Sequence, residues 1–295
     1  MITEEIRQKI RRIKLHTTRV MQTTLSGDYA SAFKGSGLEF DQLREYQPGD
    51  DVRSIDWNSS AKMNRLMIKE FIEERDRTIV LCIDVSASRF FGSNKLLRHE
   101  LIAQTAAALT FIAHQHKDKV GALFFSDRIE AWLHPQRNSV QMGKILETIF
   151  SLNPQSKQTN PDIALKFLIN LKKRNATVFF LSDWIFKTLN HEKLLRVLSI
   201  EYDFVALRFL DEREKDFVDV GLIELEDSET GKLLTIDSRA KNSNGLTIGD
   251  VLKTRCVQQN RMFDRYKIDH VDIPLHDDFF LPLARYFHTR VKRHI

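Results

Sequence analysis

The stretch Thr78-Ile79-Val80-Leu81-Cys82-Ile83-Asp84-Val85-Ser86-Ala87-Ser88 decides how this chain is read. Thr78 to Ile83 is a short apolar run rich in β-branched residues, the pattern of a strand buried within a sheet. It stops at Asp84, and from there Asp84, Ser86 and Ser88 occupy alternate positions. Residues two apart in an extended segment point the same way. A strand ending in this manner therefore gathers one carboxylate and two hydroxyls around one point. Hard oxygens in that combination suit Mg²⁺, which takes a near-octahedral shell and usually keeps several waters. Each residue alone has a plainer reading, because Asp and Ser also make turns and cap helices.

Order and context favour the metal. Thr159 lies in the polar loop Lys157 to Asn160 ahead of a helical pattern, and Asp183 follows a second β-rich run, Ala176 to Ser182. From residue 78 the periodicity predicts strand 78–84, helix 95–116, strands 119–126 and 129–133, helices 139–151 and 161–174, strand 176–182, helix 190–199 and strand 203–209. This alternation argues for an α/β fold with a mostly parallel sheet flanked by helices. Asp84, Thr159 and Asp183 then fall at or beside the carboxyl ends of strands, where open α/β sheets bind ligands.

On the N-terminal side, Ile2, Ile6, Ile10 and Ile13 recur at helical spacing, so 3–22 reads as an amphipathic helix. Leu38 to Tyr46 and Leu66 to Arg75 alternate apolar and charged residues and read as strands flanking the turn-rich segment Gln47 to Asn64. In that segment Pro48-Gly49-Asp50 is a turn, and Arg53 with Asp56 is expected to lock it while Tyr46 and Trp57 pack. On the C-terminal side, Val218 to Leu225 and Lys232 to Asp237 flank a turn and suggest a hairpin. A helix over 248–266, an edge strand near 267–273 and a closing helix over 277–293 follow. Three regions result: 1–77, a helix and β extension; 78–210, the sheet with the candidate metal site; 211–295, a hairpin and helices packed on the same sheet.

The 295 residues are 42% apolar, enough for a full core, and carry a formal charge of +5. That charge sits at the ends. Residues 1–20 contribute +4 and residues 284–295 another +4, which leaves −3 for the rest. No nucleic-acid motif accompanies it, and basic residues are not interleaved with aromatics as a stacking platform needs. No nucleic-acid partner is expected. Cys82 and Cys256 are the two cysteines, with neither a disulfide framework nor zinc spacing. The longest apolar stretch, Leu101 to Ala113, is too short to span a bilayer, and Met1 opens a charged helix. A cytoplasmic protein is expected.

Catalytic motifs are lacking. Neither G-x-S-x-G nor a phosphate-binding G-x-x-x-x-G-K-[ST] occurs, and His99-Glu100 and His191-Glu192 begin like H-E-x-x-H but meet Ala103 and Leu195. A phosphatase-like hydrolase with Asp84 as nucleophile is the best enzymatic alternative, although such sites usually carry a second acid where Ser86 stands. The paired phenylalanines Phe124-Phe125, Phe179-Phe180 and Phe279-Phe280 read as core, and Trp184, directly after Asp183, is the aromatic residue expected near a ligand.

Taken together, Asp84, Ser86, Ser88, Thr159 and Asp183 resemble the metal-ion-dependent adhesion site of von Willebrand factor A domains. Gly35-Ser36-Gly37-Leu38-Glu39-Phe40 and Leu43-Arg44-Glu45-Tyr46-Gln47-Pro48-Gly49-Asp50-Asp51-Val52-Arg53-Ser54-Ile55-Asp56-Trp57, with Leu181-Ser182-Asp183 and Asp219-Val220-Gly221-Leu222, resemble the bacterial domain of unknown function 58 family, whose members carry a von Willebrand A-like domain. The family's threonine is often followed by Asp, whereas Asn160 stands here. The resemblance implies a Mg²⁺ or Mn²⁺ site in which Ser86, Ser88 and Thr159 touch the ion and Asp84 and Asp183 act mainly through waters. It also implies a non-enzymatic, adaptor- or chaperone-like role beside a MoxR-type AAA+ ATPase, with that ATPase or its client as partner.

Overall fold

Ile10 and Ile13 put a buried stripe on the first helix, α1 (Glu4–Thr24). The computed structural model describes residues 4–24, 38–73, 77–87, 97–173, 176–186, 191–211, 221–226, 231–241, 246–275 and 280–293. These form two compact units, one of residues 1–33 with 77–295 and one of residues 34–76.

The smaller unit is built on an antiparallel pair, β1 (Leu38–Glu45) with β2 (Met67–Glu73), bulged between Phe40 and Gln42. The loop between them is held by local side chains. Arg44 grips Asp50 with two hydrogen bonds of 2.8 Å, and Asp50 also accepts from the Gln47 N–H at 2.8 Å. Gly49 at φ 109° takes a backbone that other residues rarely adopt. Asp51 caps a 3₁₀ turn, Val52–Ser54, and Asp56 caps a helix within the segment read as turns, α2 (Trp57–Met63). Two expectations are corrected here. Asp56 bonds Ser59 and lies 3.3 Å from Lys69, not against Arg53, and Trp57 is 65% exposed and does not pack.

The larger unit follows the alternating pattern: β3 (Thr78–Asp84), α3 (Arg98–Gln115), β4 (Lys119–Phe125), β5 (Ile129–Gln136), α4 (Val140–Ser151), α5 (Pro161–Leu171), β6 (Ala176–Ser182), α6 (Glu192–Glu201) and β7 (Asp203–Leu210). A hairpin, β8 (Leu222–Glu226) with β9 (Leu233–Asp237), then α7 (Ile248–Arg265), β10 (Asp269–Pro274) and α8 (Phe280–Arg293) complete it. The main sheet runs β10-β7-β6-β3-β4-β5, parallel except for β5. At the sheet edge, β10 occupies the place expected for 267–273.

The central strands sort their side chains by parity. Ile79, Leu81 and Ile83 of β3 join a core with Ile10 and Ile13 of α1, Ile102 and Leu109 of α3, Leu146 of α4 and Phe287 of α8. Val80 and Cys82 face the other way, onto Leu165 and Leu168 of α5, Leu198 of α6 and Phe263 of α7. Both faces are covered, which is why the run at 78–83 is continuous rather than alternating. Phe124, Phe125, Phe179 and Phe180 are all in these cores. At Gly121 of β4 the neighbouring strand comes so near that a Cβ would meet the Leu133 carbonyl oxygen at 2.9 Å and Pro135 Cγ at 2.8 Å. No helix among the described residues is long and apolar enough to cross a membrane.

Candidate metal-binding site

Parallel pairing brings the ends of β3 and β6 side by side, with Ile83 opposite Leu181. Asp84 and Asp183 consequently reach the same edge of the sheet, both buried, at 4% and 5% exposure. Asp84 Oδ1 accepts from the Ser86 N–H at 2.9 Å, closing a tight turn, and its Oδ2 accepts from the Ser182 hydroxyl at 2.9 Å. The same hydroxyl oxygen lies 3.5 Å from Asp183 Oδ1 and accepts the Trp184 N–H at 3.1 Å. A hydroxyl has one proton to give, and the shorter contact takes it. Ser182 thus sits between the two carboxylates and bonds to Asp84.

Asp183 is held from the other side. Its Oδ2 accepts from Arg98 Nη1 at 2.9 Å, and its Oδ1 from the Ile185 N–H at 3.0 Å. Arg98 opens α3 and is 2% exposed. The following residue, Trp184, adopts a left-handed backbone at φ 59°. For a bulky side chain this conformation costs on the order of 1–3 kcal/mol. It is imposed by packing, since the indole is 1% exposed among Phe180, Phe186 and Phe263, and by Gln259, whose amide donates to the Trp184 carbonyl. Trp184 is therefore a core residue, which corrects the expectation that it faces a ligand.

The loop carrying Thr159 is stitched to the same edge by its backbone. The Ala87 N–H donates to the Lys157 carbonyl at 3.2 Å and the Asn160 N–H to the Ser126 carbonyl at 3.1 Å. Asn160 caps α5 by accepting from the Asp162 N–H, a local role that accounts for Asn at this position. Thr159 is half-buried, and Ser86 is fully buried. Of the five residues singled out in the sequence, Asp84, Ser86 and Asp183 meet at this edge, and the backbone on either side of Thr159 is joined to it; Ser88 lies outside the described residues.

Electrostatics mark the edge as unbalanced. Burial, and then the nearby Asp183 carboxylate, push the Asp84 carboxyl up to about 7, against hydrogen bonds from Ser86 and Ser182 that pull it down. Arg98 balances one of the two buried carboxylates. Asp84, which has no cation of its own among the described residues, and Asp183, paired with Arg98, stand there with the Ser86 hydroxyl, a set of oxygen donors. That donor set fits a hard divalent cation. Among the described residues no three His, Cys, Asp or Glu side chains come together as a metal cluster, so hydroxyls must share any ligation at this edge.

Ser182 and Arg98 were not singled out as site residues in the sequence. For Arg98 a signal exists: a cation at the first position of a helix opposes the helix dipole, and here it opens a helix whose middle, Leu101 to Ala113, is mostly apolar. Such a residue needs a carboxylate to face.

Residues 42–244 match the family described as protein of unknown function DUF58. Uncharacterized proteins of Mycobacterium bovis and Mycobacterium tuberculosis are 27% identical over 224 residues, covering 75% of this chain and 70% of theirs. YeaD of Bacillus subtilis is 36% identical over 67 residues, 23% of this chain and 15% of its own. Among solved structures, the conserved hypothetical protein BatB of Bacteroides thetaiotaomicron aligns over 74% of this chain and 99% of its own with a TM-score of 0.48 at 11% identity. The SpRpn10 VWA domain aligns over 74% and 94% with a TM-score of 0.37 at 13% identity. The family match spans well over half of the residues, and the chain belongs to the DUF58 family.

Proposed function

We propose that the protein works by contact, as a von Willebrand A-like adaptor in the cytoplasm whose edge at Asp84, Ser86, Ser88, Thr159 and Asp183 holds Mg²⁺ or Mn²⁺ and engages a carboxylate of a protein partner. The observation that carries this reading is the pair of buried carboxylates flanking Ser182 with one guanidinium to balance them. When bound, the cation would supply an open position attractive to an acidic side chain. The protein's own part is to hold the oxygens in place: Ser182 and the Ser86 N–H orient Asp84, and Arg98 and the Ile185 N–H orient Asp183.

A contact role fits Asp84 better than nucleophilic attack. Both of its oxygens accept hydrogen bonds, and a nucleophile needs one oxygen aimed at substrate. The partner proposed from the family resemblance is a MoxR-type AAA+ ATPase or its client.

Calorimetry should show Mg²⁺ binding to the wild type that is lost in Asp84→Ala. A pull-down should recover the partner in Mg²⁺ but not in EDTA, with weaker recovery by Thr159→Ala. Equal Mg²⁺ binding by wild type and Asp84→Ala would refute the site. Robust phosphatase turnover abolished by Asp84→Ala would establish the hydrolase instead.

A further inference from the structure

On the C-terminal side of the sheet edge, α7 turns a row of long polar side chains toward α6. Arg255, Gln258, Gln259, Met262 and Arg265 recur at spacings of three and four, so they share one side of the helix. Together with Arg261 and with Glu192 at the start of α6 they line an open cleft of ≈ 300 Å³. Met262 forms a buried apolar floor.

The charge in this cleft is one-sided. Among the described residues lining it the one carboxylate, Glu192, already accepts from the Tyr266 hydroxyl at 3.0 Å and lies 4.0 Å from Arg265. Arg255 and Arg261 have no ionic partner among the described residues. From Arg255 to Arg265 the helix rises about 15 Å. Arg261 and Arg265 are one turn apart and can share one phosphate, but Arg255 lies too far along the helix to join them, whereas about five residues of extended peptide span the whole row. Among the described residues no aromatic side chain lines the cleft to stack a base, and Glu192 on its wall disfavours a continuous polyphosphate backbone. Gln258 adds an amide group suited to a peptide backbone.

We infer that this cleft docks an extended acidic segment of a protein partner, its carboxylates paired with Arg255, Arg261 and Arg265 over the Met262 floor. The inference deepens the contact reading by naming the chemistry of the partner, and it takes from that reading only that the partner is a protein. The cleft also adjoins the carboxylate edge, since Gln259 donates to the carbonyl of Trp184, the residue after Asp183.

The test uses the whole chain and a fluorescein-labelled hexaglutamate peptide, read by fluorescence polarisation at about 0.1 M salt in EDTA, which removes any contribution of a bound metal. Arg255→Glu with Arg261→Glu should weaken binding roughly tenfold or more. Arg11→Glu with Arg12→Glu, an equal charge change on the exposed face of α1, should weaken it less than about twofold, the residue of long-range attraction after screening. Equal losses in the two double variants would overturn the cleft in favour of net charge. So would no binding by the wild type, or tighter binding of a single-stranded RNA hexamer than of the peptide. Repeating the titration in Mg²⁺ separates this inference from the metal site: an unchanged affinity there counts against the metal reading alone.

Discussion

Replacing Arg98 with Met tests whether the carboxylate edge is as electrostatically loaded as its geometry implies. The guanidinium and the Asp183 carboxylate meet at 2.9 Å with 2% and 5% of their side chains exposed. Removing the cation leaves Asp183 buried with the Ile185 N–H as its principal donor and Asp84 close by. Breaking a pair this deeply buried costs about 3–5 kcal/mol, most of it the penalty of a stranded charge. Relief from placing a cation at the amino end of α3 returns only a few tenths. In a unit of roughly 250 residues each kcal/mol moves the midpoint by about 2–4 °C. Arg98→Met should therefore melt about 6–20 °C below the wild type in EDTA. Scanning calorimetry of the single variant and of Arg98→Met with Asp183→Asn, each in EDTA and in excess Mg²⁺, reads the effect. The double variant should recover most of the loss in EDTA. Excess Mg²⁺ should recover part of it in the single variant, about 2.7 kcal/mol at a hundred times the dissociation constant. A single variant melting within about 2 °C of the wild type in EDTA, or a double variant no more stable than the single, would refute the reasoning.

Gly121→Ala should cost about 1–3 kcal/mol in chemical denaturation, because its Cβ meets a backbone oxygen and the Pro135 ring and β5 must yield; a midpoint like that of the wild type would show that strand spacing is not what requires glycine. Asp50 is held down to about 2, chiefly by hydrogen bonding to Arg44 and then by the Gln47 N–H. A carboxyl depressed on folding stabilises above its unfolded value near 4, and that contribution is lost as pH falls through about 2. Carboxyl carbon shifts should titrate near 2 in the wild type and move toward 4 in Arg44→Gln; an unmoved midpoint would place the cause elsewhere.

What was legible in the sequence is what short-range pattern can encode. The run at 78–83 and the run at 176–182 are continuous because both of their faces are buried, so their place in mid-sheet follows from composition alone. The shared edge of Asp84 and Asp183 then follows from strand parity and parallel pairing. The position of Arg98 marks the need for a carboxylate, but which one is beyond any local pattern, because its partner lies 85 residues away. The α2 helix was missed for the opposite reason: seven residues carry too little periodicity, and the helix depends on the Asp56 cap. Trp57 and Trp184 each read the wrong way round, since an aromatic beside a polar turn carries no mark of which side the core will take.

The Asp183 turn is also fixed from behind, and this bears on how well the edge can bind. Ser182 is opposite Arg208 in the β6–β7 register. The Arg208 guanidinium, 1% exposed, bonds Asp272 of β10 and both Gln259 and Asn260 of α7, each at 2.8 Å. Gln259 then reaches back to the Trp184 carbonyl, and the Trp184 N–H returns to Ser182. The path closes on itself, so each member limits the freedom of the next, and a buried, satisfied network of this kind rigidifies what it surrounds. A left-handed tryptophan can persist there because its neighbours over-determine it. Carboxylates already fixed in direction lose little further freedom when a ligand arrives, which is where preorganised sites gain affinity. Because the lock runs through α7, the helix that lines the basic cleft also holds the Trp184 turn that follows Asp183.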